Sequence, residues 1–170
     1  MTDTAETVER TRSIAWDDPM IGARRGMEMS GLEYMRAIVS GEIPRPPIAW
    51  SLDFVLAEVE EGRAVFTLIP REFHYNPIGV VHGGVAATLL DSAMGCAVHS
   101  LLPAGVGYTT LELKVNFLRA LTRDTGPVRA EATVLHAGKR TALAEARLVD
   151  EAGKLLAHAT STCMILRPGG

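Results

Sequence analysis

Residues 84–102 read Gly-Val-Ala-Ala-Thr-Leu-Leu-Asp-Ser-Ala-Met-Gly-Cys-Ala-Val-His-Ser-Leu-Leu. The stretch lacks alternation and is rich in Ala, Leu and Met, which predicts a helix from Gly84 to about Leu101. Val85, Ala86, Ala87, Leu89, Leu90, Ala93, Met94, Cys96, Ala97 and Val98 surround that helix. A helix apolar on nearly all sides is a buried one. The segment is long enough to suggest a membrane span, but Asp91 and His99 interrupt it. An ionisable group at a bilayer centre costs about 2.5–3.5 kcal/mol on insertion scales, so the membrane reading is rejected.

On both sides of this helix the pattern is that of strands. Trp50, Leu52, Phe54 and Leu56 alternate with other residues, and Ala64–Ile69 forms a second run that Pro70 ends. Downstream, Leu111, Val115 and Phe117 alternate with Thr110, Glu112, Lys114 and Asn116. Val128–Val134, Ala142–Leu148 and Leu155–Leu166 follow, separated by Asp124–Pro127, Ala137-Gly138 and Asp150–Gly153. Short links imply antiparallel neighbours. Six strands and one buried helix give an α+β architecture, an antiparallel sheet wrapped around the helix. Such a sheet keeps an edge strand that must be covered or paired.

Upstream, residues 1–29 are polar and without clear periodicity, and read as an extension. Ser30 and Glu33 have capping-box spacing. A short helix is expected over Ser30–Ser40, then a stiff connector with Pro44, Pro46 and Pro47. The chain thus divides into an extension, 1–47, and a main domain, 48–170.

The 170 residues are 47% hydrophobic, 22% charged and 5% aromatic. Counting glycine and leaving out tyrosine brings the apolar share to about 55%, above the usual ~45–50%. With the membrane span rejected, that surplus points to an oligomer interface or an apolar ligand. A net charge of −3 without a Lys/Arg block argues against nucleic acid. Cys96 and Cys163 have neither metal nor redox spacing. His74, His82, His99, His136 and His158 are scattered, so no metal site is expected. No basic start followed by an apolar core opens the chain, and a cytoplasmic location is expected.

The chemistry concentrates in Asn76-Pro-Ile-Gly-Val-Val-His82-Gly83-Gly84, which runs into the helix bearing Asp91. The first turn of a helix has unpaired N–H groups and a positive end, and glycine lets a ligand oxygen come close. A carboxylate among apolar residues needs a partner, since burying an unpaired charge is costly. That partner can be a neighbouring segment or Thr88, one turn back. Each feature alone also has a plain structural reading: a tight turn, an Asn-Pro turn, a satisfied mid-helix Asp.

Together they resemble the hotdog-fold thioesterases of the phenylacetate-degradation type. Asn76, His82-Gly83-Gly84 six residues later and Asp91 fifteen residues after the Asn match that family's hallmark. The resemblance continues through Thr109-Thr110-Leu-Glu-Leu-Lys-Val-Asn-Phe-Leu-Arg119, His136-Ala-Gly138-Lys139-Arg140 and Asp150-Glu-Ala-Gly153-Lys154. It spans roughly residues 48–166. Ala120 stands where the family commonly has proline.

The resemblance implies a hotdog fold, active as at least a dimer, and hydrolysis of an acyl-coenzyme A thioester. In this family the helix-start N–H polarises the thioester carbonyl, here that of Gly83, and the carboxylate, Asp91, activates water or attacks directly. Asn76 and His82 shape the loop and can bond to the water or the thioester. Thr110 corresponds to the Ser/Thr that positions the water or Asp91, with Thr109 as the alternative. His136, Gly138, Lys139, Arg140 and Thr141 lie at the hairpin the family uses for coenzyme A, and Arg119 is a further candidate. Coenzyme A is part of the substrate, and no separate cofactor is implied.

Geometry also argues for a dimer. Asp91 lies seven residues after Gly84, about 10 Å along a helix. One chain cannot easily bring both ends within about 3 Å of one reacting centre, whereas two chains related by a two-fold axis can. The expected partners are therefore an acyl-CoA and further copies of the chain, as a dimer or a dimer of dimers. The competing readings are a hotdog hydratase or dehydratase, which needs an acid/base pair not visible here, and a non-catalytic acyl-CoA binder.

Overall fold

The computed structural model describes residues 8–168. Three helices come first: α1 (Pro19–Glu28), α2 (Gly31–Ser40) and α3 (Pro47–Leu52). Then come β1 (Phe54–Glu60), β2 (Arg63–Leu68), the long α4 (Gly83–His99), β3 (Gly107–Phe117), β4 (Val128–Ala137), β5 (Thr141–Asp150) and β6 (Leu155–Leu166). The six strands make one antiparallel sheet in the order β1-β2-β4-β5-β6-β3, and α4 packs against it. The α+β architecture read from the sequence is the observed one.

Alanines explain how closely helix and sheet approach. Ala130, Ala132, Ala142, Ala144, Ala146, Ala157 and Ala159 are almost completely buried. Along β4 and β5 they alternate with outward-facing residues that are polar except for Leu143. Opposite them α4 buries Leu89, Leu90, Ala93, Met94, Ala97 and Val98. The rest of α4 departs from the expected all-round burial. Ala87, Thr88, Asp91, Ser92, Cys96 and His99 are only half-buried and Gly84 is exposed. These positions recur at helical spacing, so they form one stripe of mostly small or polar side chains that the sheet leaves uncovered.

At the N-terminal side, Ser30 caps α2 as expected. Its Oγ accepts from the Glu33 N–H at 3.4 Å, and Glu33 Oε2 accepts from the Ser30 N–H at 3.1 Å. Two expectations fail. The polar stretch before residue 30 contains α1, with Pro19 opening the helix and Asp18 Oδ1 accepting from the Met20 N–H at 2.9 Å. An Asp-Pro pair is an N-cap followed by a residue already set for the first helical position, a signal that does not depend on periodicity. The second failure is the strand expected to begin near Trp50. Residues 47–52 form α3, because Pro47 opens a helical turn and Asp53 closes it in a left-handed conformation, φ 55°. Extended structure starts at Phe54.

The two edges of the sheet are β1 and β3. α2 and α3 pack on β1. β3 is eleven residues long, borders only β6, and carries a bulge between Thr110 and Glu112.

Candidate active site

The Gly83 end of α4 hangs from His74. That imidazole is 2% exposed; its Nδ1 accepts from the Arg71 N–H at 3.0 Å, and Nε2 lies 2.9 Å from the Leu52 carbonyl. The bonding places the proton on Nε2. Burial holds His74 below the ordinary histidine range. Its carbonyl in turn accepts from the His82 N–H at 2.8 Å. Between them, Asn76 Oδ1 accepts from Ile78 and Val80 N–H groups at 3.0 and 3.3 Å, which ties off the loop.

His82 is the N-cap of α4. Its Nδ1 accepts from the Gly84 N–H at 2.8 Å, and its carbonyl accepts from the Val85 N–H at 2.9 Å. Among the described residues the Gly83 N–H has no partner. It lies at a cavity of about 300 Å³ bordered by Asn76, Gly83, Phe117 and Arg119. A Cβ at residue 83 would lie 3.2 Å from Phe117 Cζ, so glycine keeps this donor accessible. Arg119 is exposed, with one guanidinium N–H donated to the Leu155 carbonyl at 2.6 Å.

Asp91 lies in a different cavity. Its Oδ1 accepts from Thr110 Oγ1 at 2.9 Å, whereas Thr88 Oγ1 bonds back to the Gly84 carbonyl at 2.8 Å. Thr110 therefore lies on the inner face of β3, not on the polar face that simple alternation assigns it. The bulge is the cause. Before it Tyr108 and Thr110 are half-buried; after it Leu113 and Val115 are. Leu111, the extra residue, is 54% exposed. A bulge that shifts the period by one residue re-aims the side chain next to it.

The Asp91 cavity, about 190 Å³, is bordered by Pro46, Ile48, Phe54, Phe66, Ser92, Gly95, Cys96, Tyr108 and Thr110. Several of these were not singled out by the sequence. Tyr108 is the largest: its ring stacks near His99, centroids 5.3 Å apart, and burial raises its phenol well above the ordinary value. Burial also pushes the Cys96 thiol beside it up to about 12, which favours the protonated thiol. Gly95 was the readable signal, since a Cβ there would meet the Tyr108 ring at 2.8 Å.

The hairpin residues gather at the Asp91 end. Thr141 pairs with Met164, which pairs with Thr109, so one lateral row joins hairpin and bulge across β5, β6 and β3. Two strand spacings make about 10 Å. The hairpin backbone is held by Gly138 N–H to the Thr141 carbonyl and Ile165 N–H to the Arg140 carbonyl, both 2.8 Å. His136, Lys139, Arg140 and Thr141 are exposed. The sequence-derived residues thus fall into two groups within one chain: Asn76, His82, Gly83 and Arg119 at one end of β3, and Asp91, Thr110 and the hairpin at the other. Among the described residues no cluster of three potential metal ligands occurs, and no helix is long and apolar enough to cross a membrane.

Residues 78–157 match the family model described as Thioesterase superfamily. A 1,4-dihydroxy-2-naphthoyl-CoA hydrolase of Listeria monocytogenes is 33% identical over 111 residues, covering 65% of this chain and 88% of the relative. The chain belongs to the thioesterase superfamily. Its hotdog fold is shared with a phenylacetic acid degradation-related protein from Ralstonia eutropha, with a TM-score of 0.70 and 31% identity over 77% of this chain and 98% of the other. A mutant of a phenylacetic acid degradation protein from Thermus thermophilus aligns with a TM-score of 0.63 and 29% identity, covering 69% of this chain and 97% of that one. Membership makes this thioesterase-superfamily chain a hydrolase.

Proposed function

We propose that the protein hydrolyses an acyl-CoA thioester at sites built from two copies of the chain. The observation that carries this reading is the separation of its two chemical groups. The unpartnered Gly83 N–H and the Thr110-held Asp91 carboxylate border different cavities at opposite ends of β3. β3 is also the long edge strand without a second neighbour among the described residues. If two β3 strands pair antiparallel about Leu113 and Lys114, Thr110 of one copy comes beside Phe117 of the other. Gly83, packed under Phe117, then faces the second copy's Asp91. The same pairing places the half-buried stripe of α4 at the interface.

In this arrangement the Gly83 N–H donates to the thioester carbonyl oxygen and stabilises the oxyanion as it forms. Asp91 acts as general base or as nucleophile. As base, it takes a proton from water while the water oxygen bonds to the carbonyl carbon. The tetrahedral intermediate collapses, the C–S bond breaks, and the thiolate leaves and takes a proton. As nucleophile, its oxygen bonds to the carbonyl carbon, the C–S bond breaks and the thiolate leaves and takes a proton, and water then cleaves the mixed anhydride to the free acid and the Asp91 carboxylate. Thr110 occupies Oδ1, leaving Oδ2 for either role. His136, Lys139 and Arg140 meet the coenzyme phosphates, and Arg119 approaches them from the other copy.

A thiol-release assay over a panel of acyl-CoA thioesters tests this. Hydrolysis by the wild-type protein and its loss in a folded Asp91→Asn variant are expected. Full activity of Asp91→Asn, or activity in a monomer, refutes the assignment. An acyl-CoA that binds and stays intact for hours would instead favour a carrier or sensor.

A further inference from the structure

One wall of the Asp91 cavity comes from the short segment before β1. Pro46 and Ile48 precede β1 and lie far upstream of residue 78, where the family match begins. We propose that Pro46 and Ile48 form the wall that limits the size of the acyl group. This rests on the thioesterase reading above and adds a specificity element to it.

The cavity has both polar and apolar lining, with Tyr108, Gly95 and Cys96 between the two kinds in character. Asp91, Thr110 and Ser92 supply its polar groups, and Phe54, Phe66, Pro46 and Ile48 supply apolar ones. A thioester carbonyl belongs with the polar groups, so the acyl tail is directed toward the apolar ones. The volume, about 190 Å³, suits a compact acyl group. An apolar protein cavity of about 150 Å³ accepts a benzene molecule. Ile48 is 49% exposed, whereas Ala49 next to it is 3% exposed. The short helix therefore buries one side in the core and presents a large aliphatic side chain beside the carboxylate. Isoleucine is stiff about χ1, which makes it a hard boundary.

The helix is also held more firmly than a connector needs. Ser51 Oγ donates to the Pro47 carbonyl at 3.0 Å, and Asp53 N–H closes onto the Ala49 carbonyl. The Arg12 guanidinium donates to the Ser51 and Trp50 carbonyls at 2.8 and 2.9 Å. His74 Nε2–H donates to the Leu52 carbonyl at 2.9 Å. The Arg45 guanidinium lies 3.6 Å from the centre of the Trp50 ring. These ties come from the N-terminal extension, the loop before α4 and the helix itself. They fix the wall relative to Asp91, as a size filter requires.

The test is the ratio of kcat/KM for octanoyl-CoA to that for butanoyl-CoA. Ile48→Ala should raise this ratio about 10-fold and Ile48→Phe should lower it by a similar factor, the low end of what a few methylenes decide in an apolar pocket. Ile48→Val, smaller by one methyl, moves it the same way as Ala and serves if the alanine variant does not fold. Val39→Ala, on the exposed side of α2, should leave the ratio unmoved. The wall is overturned if the folded Ile48 variants keep the wild-type ratio within twofold, or scale both substrates by one factor. Absence of hydrolysis with any thioester breaks the thioesterase reading instead. Calorimetric binding of non-hydrolysable thioether analogues of the same two chain lengths then decides the wall, with the same shift expected in the affinity ratio.

Discussion

The two ends of β3 solve different problems with different parts of the chain. At the Phe117 end the reactive feature is backbone: a single N–H at the start of α4, left open because His82 satisfies Gly84 and the Gly83 position has no side chain. At the Thr110 end it is a side chain, an Asp91 carboxylate held by a hydroxyl that a bulge turns inward. Seven residues of extended strand separate Thr110 from Phe117, about 20 Å. The first end can receive an oxyanion, and among the described residues its cavity has no carboxylate. The second has a base and no free helix-start donor. In the proposed two-copy arrangement each is half of a hydrolytic site, and the pairing of two copies would use the long edge that β3 leaves open among the described residues.

Mixing experiments can break this comparison most decisively. Asp91→Asn removes the carboxylate and keeps the Thr110 contact geometry, so activity should fall by about 10³-fold or more, in line with removal of essential catalytic groups elsewhere. Gly83→Pro removes the N–H, and Gly83→Ala keeps it while adding the same Cβ against Phe117, so the proline variant should be about 10²–10³-fold less active than the alanine one, as loss of one oxyanion donor requires. If the site spans two copies, refolding the two dead variants together at equal amounts restores activity. Half of the dimers are mixed and each has one intact site of two, so about a quarter of wild-type activity is expected from the two-fold arrangement. No recovery, with mixed dimers demonstrated, would place both groups in one chain.

A smaller effect sharpens the Thr110 end. A hydrogen bond to a charged group is worth about 1.5–3 kcal/mol. Thr110→Val should therefore lower kcat by about 10- to 100-fold, with little change in KM, and Thr110→Ser should recover most of it. Equal loss in Val and Ser would mean that the threonine methyl, and not the hydroxyl, holds Asp91 in place.

These two ends were not equally legible in the sequence. Asn76, His82, Gly83 and Asp91 stand in one run, and helix geometry places Asp91 relative to Gly83. Short links account for the β1-β2, β4-β5 and β5-β6 pairings, but not for β2 beside β4 or β3 beside β6, which join segments distant in sequence. Thr110 was found through a family resemblance, while alternation put it on the wrong face. A bulge inserts one residue without a compositional mark, and nothing in Thr-Leu-Glu says that Leu111 is the extra one. Tyr108, Phe54, Phe66 and Ile48 meet at Asp91 through contacts between segments distant in sequence, which no local period encodes. α3 was missed for the opposite reason: six residues are too few for periodicity to separate a helix from a strand, and the Pro47 and Asp53 boundaries decide it.

The hairpin tests whether the Thr110 end also carries the coenzyme. Lys139 and Arg140 are exposed and their backbone is fixed by other contacts, so charge can be reversed without loss of the turn. Lys139→Glu/Arg140→Glu should raise KM about 10-fold, and leave kcat within about twofold, because phosphate contacts far from the reacting carbon bind ground and transition state alike. Added salt should narrow the difference, since exposed charges are screened beyond about 10 Å at 0.1 M. Unchanged kinetics would remove the hairpin from the binding surface.

The smallest effect separates the two ends by pH. His74 supports the Gly83 end only as a neutral imidazole, because Nδ1 must accept from the Arg71 N–H. Burial lowers its folded-state pKa, the Arg12 and Arg71 charges act the same way, and Asp53 and the Leu52 bond oppose them. The unfolded chain then binds the proton first, near pH 6.5. Stability is full above that value and declines as pH falls below it toward the folded-state pKa. His99, half-buried beside Tyr34 and Tyr108, shifts in the same direction and lowers global stability with it. The local reading comes from hydrogen exchange. Between pH 7 and 5.5, protection of the Arg71 and His82 amides should fall, after correction for intrinsic exchange, more than that of the β3–β6 ladder around Thr110. A uniform decline would mean that the loop before Gly83 opens only with the whole domain. A selective one would make the backbone end the adjustable half of the site, and the carboxylate end the fixed one.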